Sequence, residues 1–221
     1  MIIIDENLKK AVPDAALGIV TCTASVGEAS DAQNGAFDAL IADVASRYAD
    51  TSAIAGNPRI KATRAAYRAL GKDPARYRNS AEAMLRRVVS GKGLYRVNNA
   101  VDVNNMFSID TGYSLGSYDY SAIRGPVVWK RAPDGESYEG IGKDVLNIEH
   151  LPALYDDEGV FGNPTSDSRR TMIGSAAERK KLLYVIYSFD GTDDLPLRAE
   201  ELCVMLERWC GADIELCLTV K

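Results

Sequence analysis

Leu182-Leu183-Tyr184-Val185-Ile186-Tyr187-Ser188-Phe189 reads as a strand, and the thirty-odd residues after it decide the fold class. Residues 195–209 carry helical spacing, Gly211 ends that helix, and residues 214–220 alternate as a final strand. A strand-helix-strand ending of this kind predicts two strands lying side by side with the helix on one face. Working backwards, residues 127–130 and 154–155 are strand-like, separated by the glycine turns Pro133-Asp134-Gly135-Glu136 and Asp157-Glu158-Gly159. Residues 17–24 read as a buried strand.

The first half is richer in helix. Phe37, Leu40, Ile41, Val44 and Tyr48 recur at three- and four-residue spacing. Asn57-Pro58 opens a second helix that Gly71 closes before the Asp73-Pro74 turn. Asn79-Ser80-Ala81-Glu82 has the form of a helix cap, followed by the apolar stripe Met84, Leu85, Val88 and Val89. No repeat, linker or low-complexity stretch divides the 221 residues. The expectation is one α+β domain over residues 1–221, a mixed sheet with flanking helices.

Composition narrows the chemistry. His150 is the single histidine, so a Ser-His-Asp triad, a Cys-His pair or a histidine-rich zinc site would all have to be built on it. Cys22, Cys203, Cys210 and Cys217 form no CxxC pair and read as reduced core thiols. No cofactor and no metal are expected. No run approaches the roughly 20 apolar residues of a membrane helix, and Asp5 comes too early for a secretory leader. The expectations are a cytoplasmic location and no membrane partner.

Charge is unevenly spread. Residues 57–92 hold ten lysines or arginines against two acids, a local +8 in a chain whose net charge is −5. An acidic body with one basic segment suits contact with a polyanion at one place. The candidates are Arg64, Arg68, Lys72, Arg76, Arg78, Arg86 and Arg87, with a solvated helical face as the alternative. Tyr67 and Tyr77 lie among them, either stacked on an unpaired base or packed in a core.

Three blocks in the middle of the chain carry a family resemblance. They are Val101-Asp102-Val103-Asn104-Asn105-Met106, Leu115-Gly116-Ser117-Tyr118-Asp119-Tyr120 and Gly125-Pro126-Val127-Val128-Trp129-Lys130-Arg131-Ala132. In order and spacing they resemble the signature of the editing domain of the bacterial phenylalanyl-tRNA synthetase beta subunit, the B-three/B-four module. That signature runs from a Val-Asp-x-Thr-Asn helix start through a Pro-Leu-His-x-Phe-Asp turn to a strand ending in Arg-x-Ala. The Asp156 to Gly159 turn is similar to the family's Asp-x-x-Gly hairpin, and the loop at residues 162–171 stands where its glycine-rich pocket loop does. Residues 67–78 and 82–87 look like the free-standing branch of this family, and the resemblance covers residues 60–188.

Carried over, the family's pocket threonine falls on Asn104, its asparagine on Asn105 and its histidine on Gly116. The resemblance implies hydrolysis of a mischarged aminoacyl-tRNA, acting in trans, with the tRNA acceptor end as partner. Since two of the three pocket positions differ, the synthetase's preference for misattached tyrosine is not carried over with the reaction class.

Ester hydrolysis in such a site needs a polar pocket, one placed water and donors for the developing oxyanion. Asn104 and Asn105 supply amides that donate and accept without ionising. Their alternative role is helix capping after Val103. Asp102 is placed either on the substrate's α-ammonium or at an N-cap. Gly116, Ser117 and Asp119 form a turn that lines the pocket or merely reverses the chain. In the loop at 162–171, Asn163, Ser166, Asp167, Ser168 and Arg169 suit recognition of backbone, amine or phosphate, with Asp167 a candidate catalytic residue, Asp167 and Arg169 the pair to mutate first, and an ordinary polar loop the alternative. Ser168 has no evident base to make it a nucleophile. Two other readings remain: a non-catalytic RNA-binding module of the same fold, and a small-molecule amino-acid binder.

Overall fold

A computed structural model describes residues 2–142 and 144–221. Its centre is a four-stranded antiparallel sheet. The long strand β2 (Ala16–Val26) pairs on one edge with β9 (Glu178–Ser188) and on the other with β10 (Asp213–Val220); β3 (Ser114–Asp119) completes the order β10-β2-β9-β3. A second, mixed sheet has the order β1 (Ile2–Ile4), β4 (Val127–Arg131), β7 (Pro152–Asp156) and β8 (Gly159–Gly162), with β1 parallel to β4. A hairpin of β5 (Ser137–Glu139) and β6 (Val145–Asn147) stands apart.

Alternation along the strands explains the layering. In β2 and β9, Leu17, Ile19, Leu183, Val185 and Tyr187 face the second sheet, while Ala16, Val20, Cys22, Leu182, Tyr184 and Ile186 face the helices α5 (Asn99–Thr111) and α6 (Leu195–Cys210). Both faces are apolar because both are covered. Trp129 is fully buried between the sheets with Tyr187 and Phe189 against it. A third apolar cluster ties α2 (Asp31–Ser46), α4 (Ser80–Val89) and α5 together and takes Ile60 from α3 (Pro58–Ala69). The remaining helix, α1 (Glu6–Ala11), sends Leu8 into the inter-sheet core.

Three expectations about the fold are corrected. The closing strands are not neighbours: β2 lies between β9 and β10, since an eleven-residue buried strand needs a partner on each edge for its backbone polar groups. The stretch around Gly116 is not a turn but the edge strand β3, paired with β9 from Ser114↔Tyr187 to Asp119↔Leu182. Among the cysteines, Cys22, Cys203 and Cys210 are buried, but Cys217 is exposed on the outer strand β10.

Candidate functional site

The helix predicted to end at Gly71 does so, with that glycine in the left-handed region at φ 89°. Lys72 N donates to Tyr67 O at 2.8 Å and Tyr77 N to Asp73 O at 2.9 Å, folding residues 72–79 into a compact turn before α4. Across from it, the loop after β8 is built on one amide. Asn163 Oδ1 accepts from Thr165 N at 2.8 Å and Ser166 N at 3.2 Å, while its Nδ2 donates to Tyr138 Oη at 2.6 Å. Tyr138 in turn donates to Ser166 O. Thr165 Oγ1 is 2.8 Å from Tyr67 Oη, and Pro164 O accepts from Ser80 N at 2.7 Å, fixing the loop to α3 and α4.

Between the turn, this loop and the hairpin opens a cleft of about 350 Å³. Arg76, Tyr77 and Arg78 form one lip; Leu146, Ile148 and Leu151 make an apolar wall; Asn147, Asn163, Thr165 and Ser166 supply polar groups. Lys72 comes up from beneath, its Nζ 3.0 Å from Asn147 Oδ1 and 3.8 Å from the centre of the Tyr77 ring. Burial lowers its pKa. The structure thus brings a cationic lip, an amide-hydroxyl floor and an apolar wall to one place.

Asp167 sits next to that floor. It is half-buried as a residue, and its carboxyl accepts from Tyr118 Oη at 2.8 Å and from the backbone N–H groups of Asn163 and Ser117. Desolvation outweighs those donors and pushes its pKa up to about 7. Tyr118 passes the chain on, with Tyr187 Oη 2.7 Å away. Burial holds both phenols well above their ordinary range, so they are neutral partners. The Tyr118 ring is accommodated because Gly116 and Gly162 flank it: a Cβ at either would lie 2.6 Å from Cζ and nearer still to the hydroxyl.

The other candidates fall into separate places. Asn104 lies in the second turn of α5, buried, with Oδ1 lacking a partner among the described residues. Neither it nor Asn105 lines the cleft. The expected helix start is displaced, because the N-cap is Asn98, whose side chain accepts from Val101 N at 2.9 Å. Asp102 is not that cap and does not line the cleft; buried, it accepts from Val97 N at 3.1 Å, and burial raises its pKa. Asp119 ends β3, paired with Lys180 at 3.0 Å and held to Ser121, far along the strand from Gly116. Ser117 is buried and contributes its backbone rather than its hydroxyl. Ser168 caps a short 3₁₀ turn, accepting from Arg170 N at 3.2 Å. Arg169 points to Glu139 at 3.8 Å, so it does not pair with Asp167.

The basic segment also divides. Arg76 and Arg78 reach the cleft, and Arg68 is exposed on α3. Arg64, Arg78 and Arg86 converge on Glu82. Arg87 turns to Gly93 O at 3.2 Å and covers Tyr95, while Tyr67 is a core residue. Sequence reasoning misses Tyr118, Tyr138 and Asn147; only the glycines on either side of a phenol, legible once paired in space, mark the first of them.

The geometry defines an α+β protein whose polar cleft opens beneath a cationic lip. The chain belongs to the B3/4 domain family, whose model matches residues 62–190. It is similar to the phenylalanine–tRNA ligase beta subunit of Protochlamydia amoebophila (strain UWE25), with 34% identity over 92 residues; the match covers 38% of this chain and 11% of that much longer protein. Its fold is shared with an N-terminal fragment of the phenylalanyl-tRNA synthetase beta subunit from Pyrococcus horikoshii, at a TM-score of 0.51 and 14% identity, over 100% of this chain and 54% of that one. Among the described residues no helix is long and apolar enough to cross a membrane.

Proposed function

We propose that the cleft receives the acylated acceptor end of a tRNA and that the protein hydrolyses the aminoacyl ester in trans. The observation that carries this reading is the meeting of Arg76 and Arg78 with Asn163, Thr165 and Ser166 around one opening. Guanidinium groups suit a terminal phosphodiester. The amide and hydroxyls suit the ribose, the α-amino group and the oxyanion that develops on the ester carbonyl. The apolar wall of Leu146, Ile148 and Leu151 suits the amino-acid side chain. The family and the similarity to a phenylalanine–tRNA ligase subunit support the substrate class.

Among the described residues no carboxylate lines the cleft. The chemistry we assign to the chain is therefore positioning: the loop orients the ester and one water, and the adjacent ribose hydroxyl of the substrate takes part in activating that water. Asp167 is a positioning residue, fixing the loop through Asn163 N and the strand through Tyr118. Asn104 and Asn105 are not part of the proposed site.

Binding to uncharged tRNA should weaken steeply with salt, as expected when arginines and lysines displace the counterions condensed on its phosphates. Arg76→Ala should lower the slope of log K against log salt by about one, whereas Arg179→Ala, paired with Asp213 at 2.5 Å on the central sheet, should leave it unchanged. Equal slopes for wild type and Arg76→Ala would remove the cationic lip from the interface.

A further inference from the structure

Glu82 is fully buried at the third position of α4, where a glutamate ordinarily reaches back to the N-cap N–H. Here it is used otherwise. Its Oε1 receives Arg86 Nε at 2.9 Å and Arg64 Nη1 at 3.3 Å, with Arg78 Nε at 3.9 Å. The three arginines come from three different segments: α3, the turn before α4, and α4 itself. Their side chains are 21%, 49% and 30% exposed for Arg64, Arg78 and Arg86, so the guanidinium groups gather at the surface over a buried anion.

Three cations around one carboxylate leave a local charge of +2. Without Glu82, mutual repulsion and hydration would spread them into solvent. Fastening α3 to α4 requires only Arg64; the exposed Arg78 at 3.9 Å adds almost nothing to stability, as surface ion pairs contribute roughly 0–1 kcal/mol. Arg78 also lines the cleft. Arg78 thus joins the cluster to the cationic lip of the cleft.

We infer that Glu82 is a positioning residue that holds Arg64, Arg78 and Arg86 as a clamp for a nucleic-acid phosphodiester next to the cleft. The inference rests on the proposed tRNA reading. One backbone phosphate supplies the second anion the cluster lacks, and its oxygens accept from guanidinium N–H groups that Oε1 does not use.

The test measures uncharged-tRNA binding by the full chain across a salt series for wild type, Glu82→Gln, Arg78→Ala, Arg64→Ala/Arg86→Ala and the triple Glu82→Gln/Arg64→Ala/Arg86→Ala. Glu82→Gln makes the protein one unit more positive, so simple electrostatics predicts tighter binding. The clamp predicts the reverse: affinity about fivefold lower and a salt slope smaller by about one. Adding Glu82→Gln to the Arg64→Ala/Arg86→Ala background should then lower affinity and slope far less than in wild type, because only Arg78, at 3.9 Å, is left for Glu82 to hold. A reduced folded fraction lowers affinity equally at every salt concentration and leaves the slope alone, so it is not mistaken for loss of the clamp. Should Glu82→Gln not fold, Arg64→Ala/Arg86→Ala decides, since neither arginine lines the cleft and the clamp requires a smaller slope there too. Unchanged or tighter binding by Glu82→Gln, an unchanged slope in Arg64→Ala/Arg86→Ala, or an equal loss when Glu82→Gln is added to that double variant overturns the clamp while wild-type binding still supports the tRNA reading. If wild type shows no salt-sensitive binding, that reading fails and the clamp with it.

Discussion

Gly116→Ala and Gly162→Ala are each expected to destabilise the protein by about 1–3 kcal/mol or more in chemical denaturation, although alanine is the smallest possible change. Neither glycine has a positive φ, so the backbone imposes no need for glycine at these positions. The need is steric. Tyr118 is fully buried, meets Phe161 edge-on with centroids 5.0 Å apart, and has its hydroxyl fixed between Asp167 and Tyr187. A methyl on either side would have to displace that ring. Because both substitutions press on the same side chain, shortening it should relieve them: Gly116→Ala in a Tyr118→Leu background should cost less than in wild type, a coupling expected only of residues in contact. Wild-type midpoints for both alanine variants would contradict the packing described for Tyr118. The same displacement would reach the cleft, because Gly162 precedes Asn163 and the phenol holds Asp167.

Asp167→Asn is expected to change how stability depends on pH. In the folded protein the carboxyl titrates near 7, above its ordinary value of 3.8, so the native state holds a proton that the unfolded chain releases. Stability from this group is complete below about pH 4 and is lost as pH rises towards 7, with a slope of at most about 1.4 kcal/mol per pH unit. Partial access of water to the residue brings the real slope below that limit. Asp119, Asp156 and Asp194 have lowered pKa values through hydrogen bonds from Ser121, Arg170 and Tyr113, with Lys180 and Arg59 adding to the first and last; they lose their contribution only at more acid pH and do not interfere. The asparagine keeps an oxygen for the Tyr118 hydroxyl and has no charge to bury. It should match wild type near pH 4 and exceed it at pH 8. Parallel stability curves for the two proteins would show that the carboxyl is not desolvated as described.

Much of the architecture is legible in the residues. The alternation in residues 182–189, the Asn57-Pro58 and Asn79 helix starts and the Gly211 stop all correspond to observed elements, and the resemblance over 60–188 coincides closely with the family match at 62–190. Strand order is not legible, because periodicity shows which face of β2 is buried but not that it pairs with both β9 and β10. Gly116 reads as a turn glycine and Gly162 as the start of a loop for a similar reason: nothing local reveals that both lie in strands against one phenol. At the site, the cationic segment and the Asn163 loop are recognisable as separate features, and only the tertiary fold joins them. The motif residues Asn104 and Asn105 lie away from the cleft. Their helix begins at Asn99, so the motif falls in its second turn, where packing against neighbouring helices and strands encloses Asn104.

The most direct test is a panel of mischarged tRNAs incubated with wild type, Asn163→Ala, Arg76→Ala and Asn104→Ala, each confirmed as folded, with release of amino acid followed over time. A cleft built on the Asn163 loop predicts accelerated release from at least one aminoacyl-tRNA, a rate roughly tenfold to a hundredfold lower in Asn163→Ala, weaker binding in Arg76→Ala, and retained activity in Asn104→Ala. Release at the spontaneous rate from every tRNA by wild type, or loss of activity in Asn104→Ala with Asn163→Ala unaffected, would contradict it.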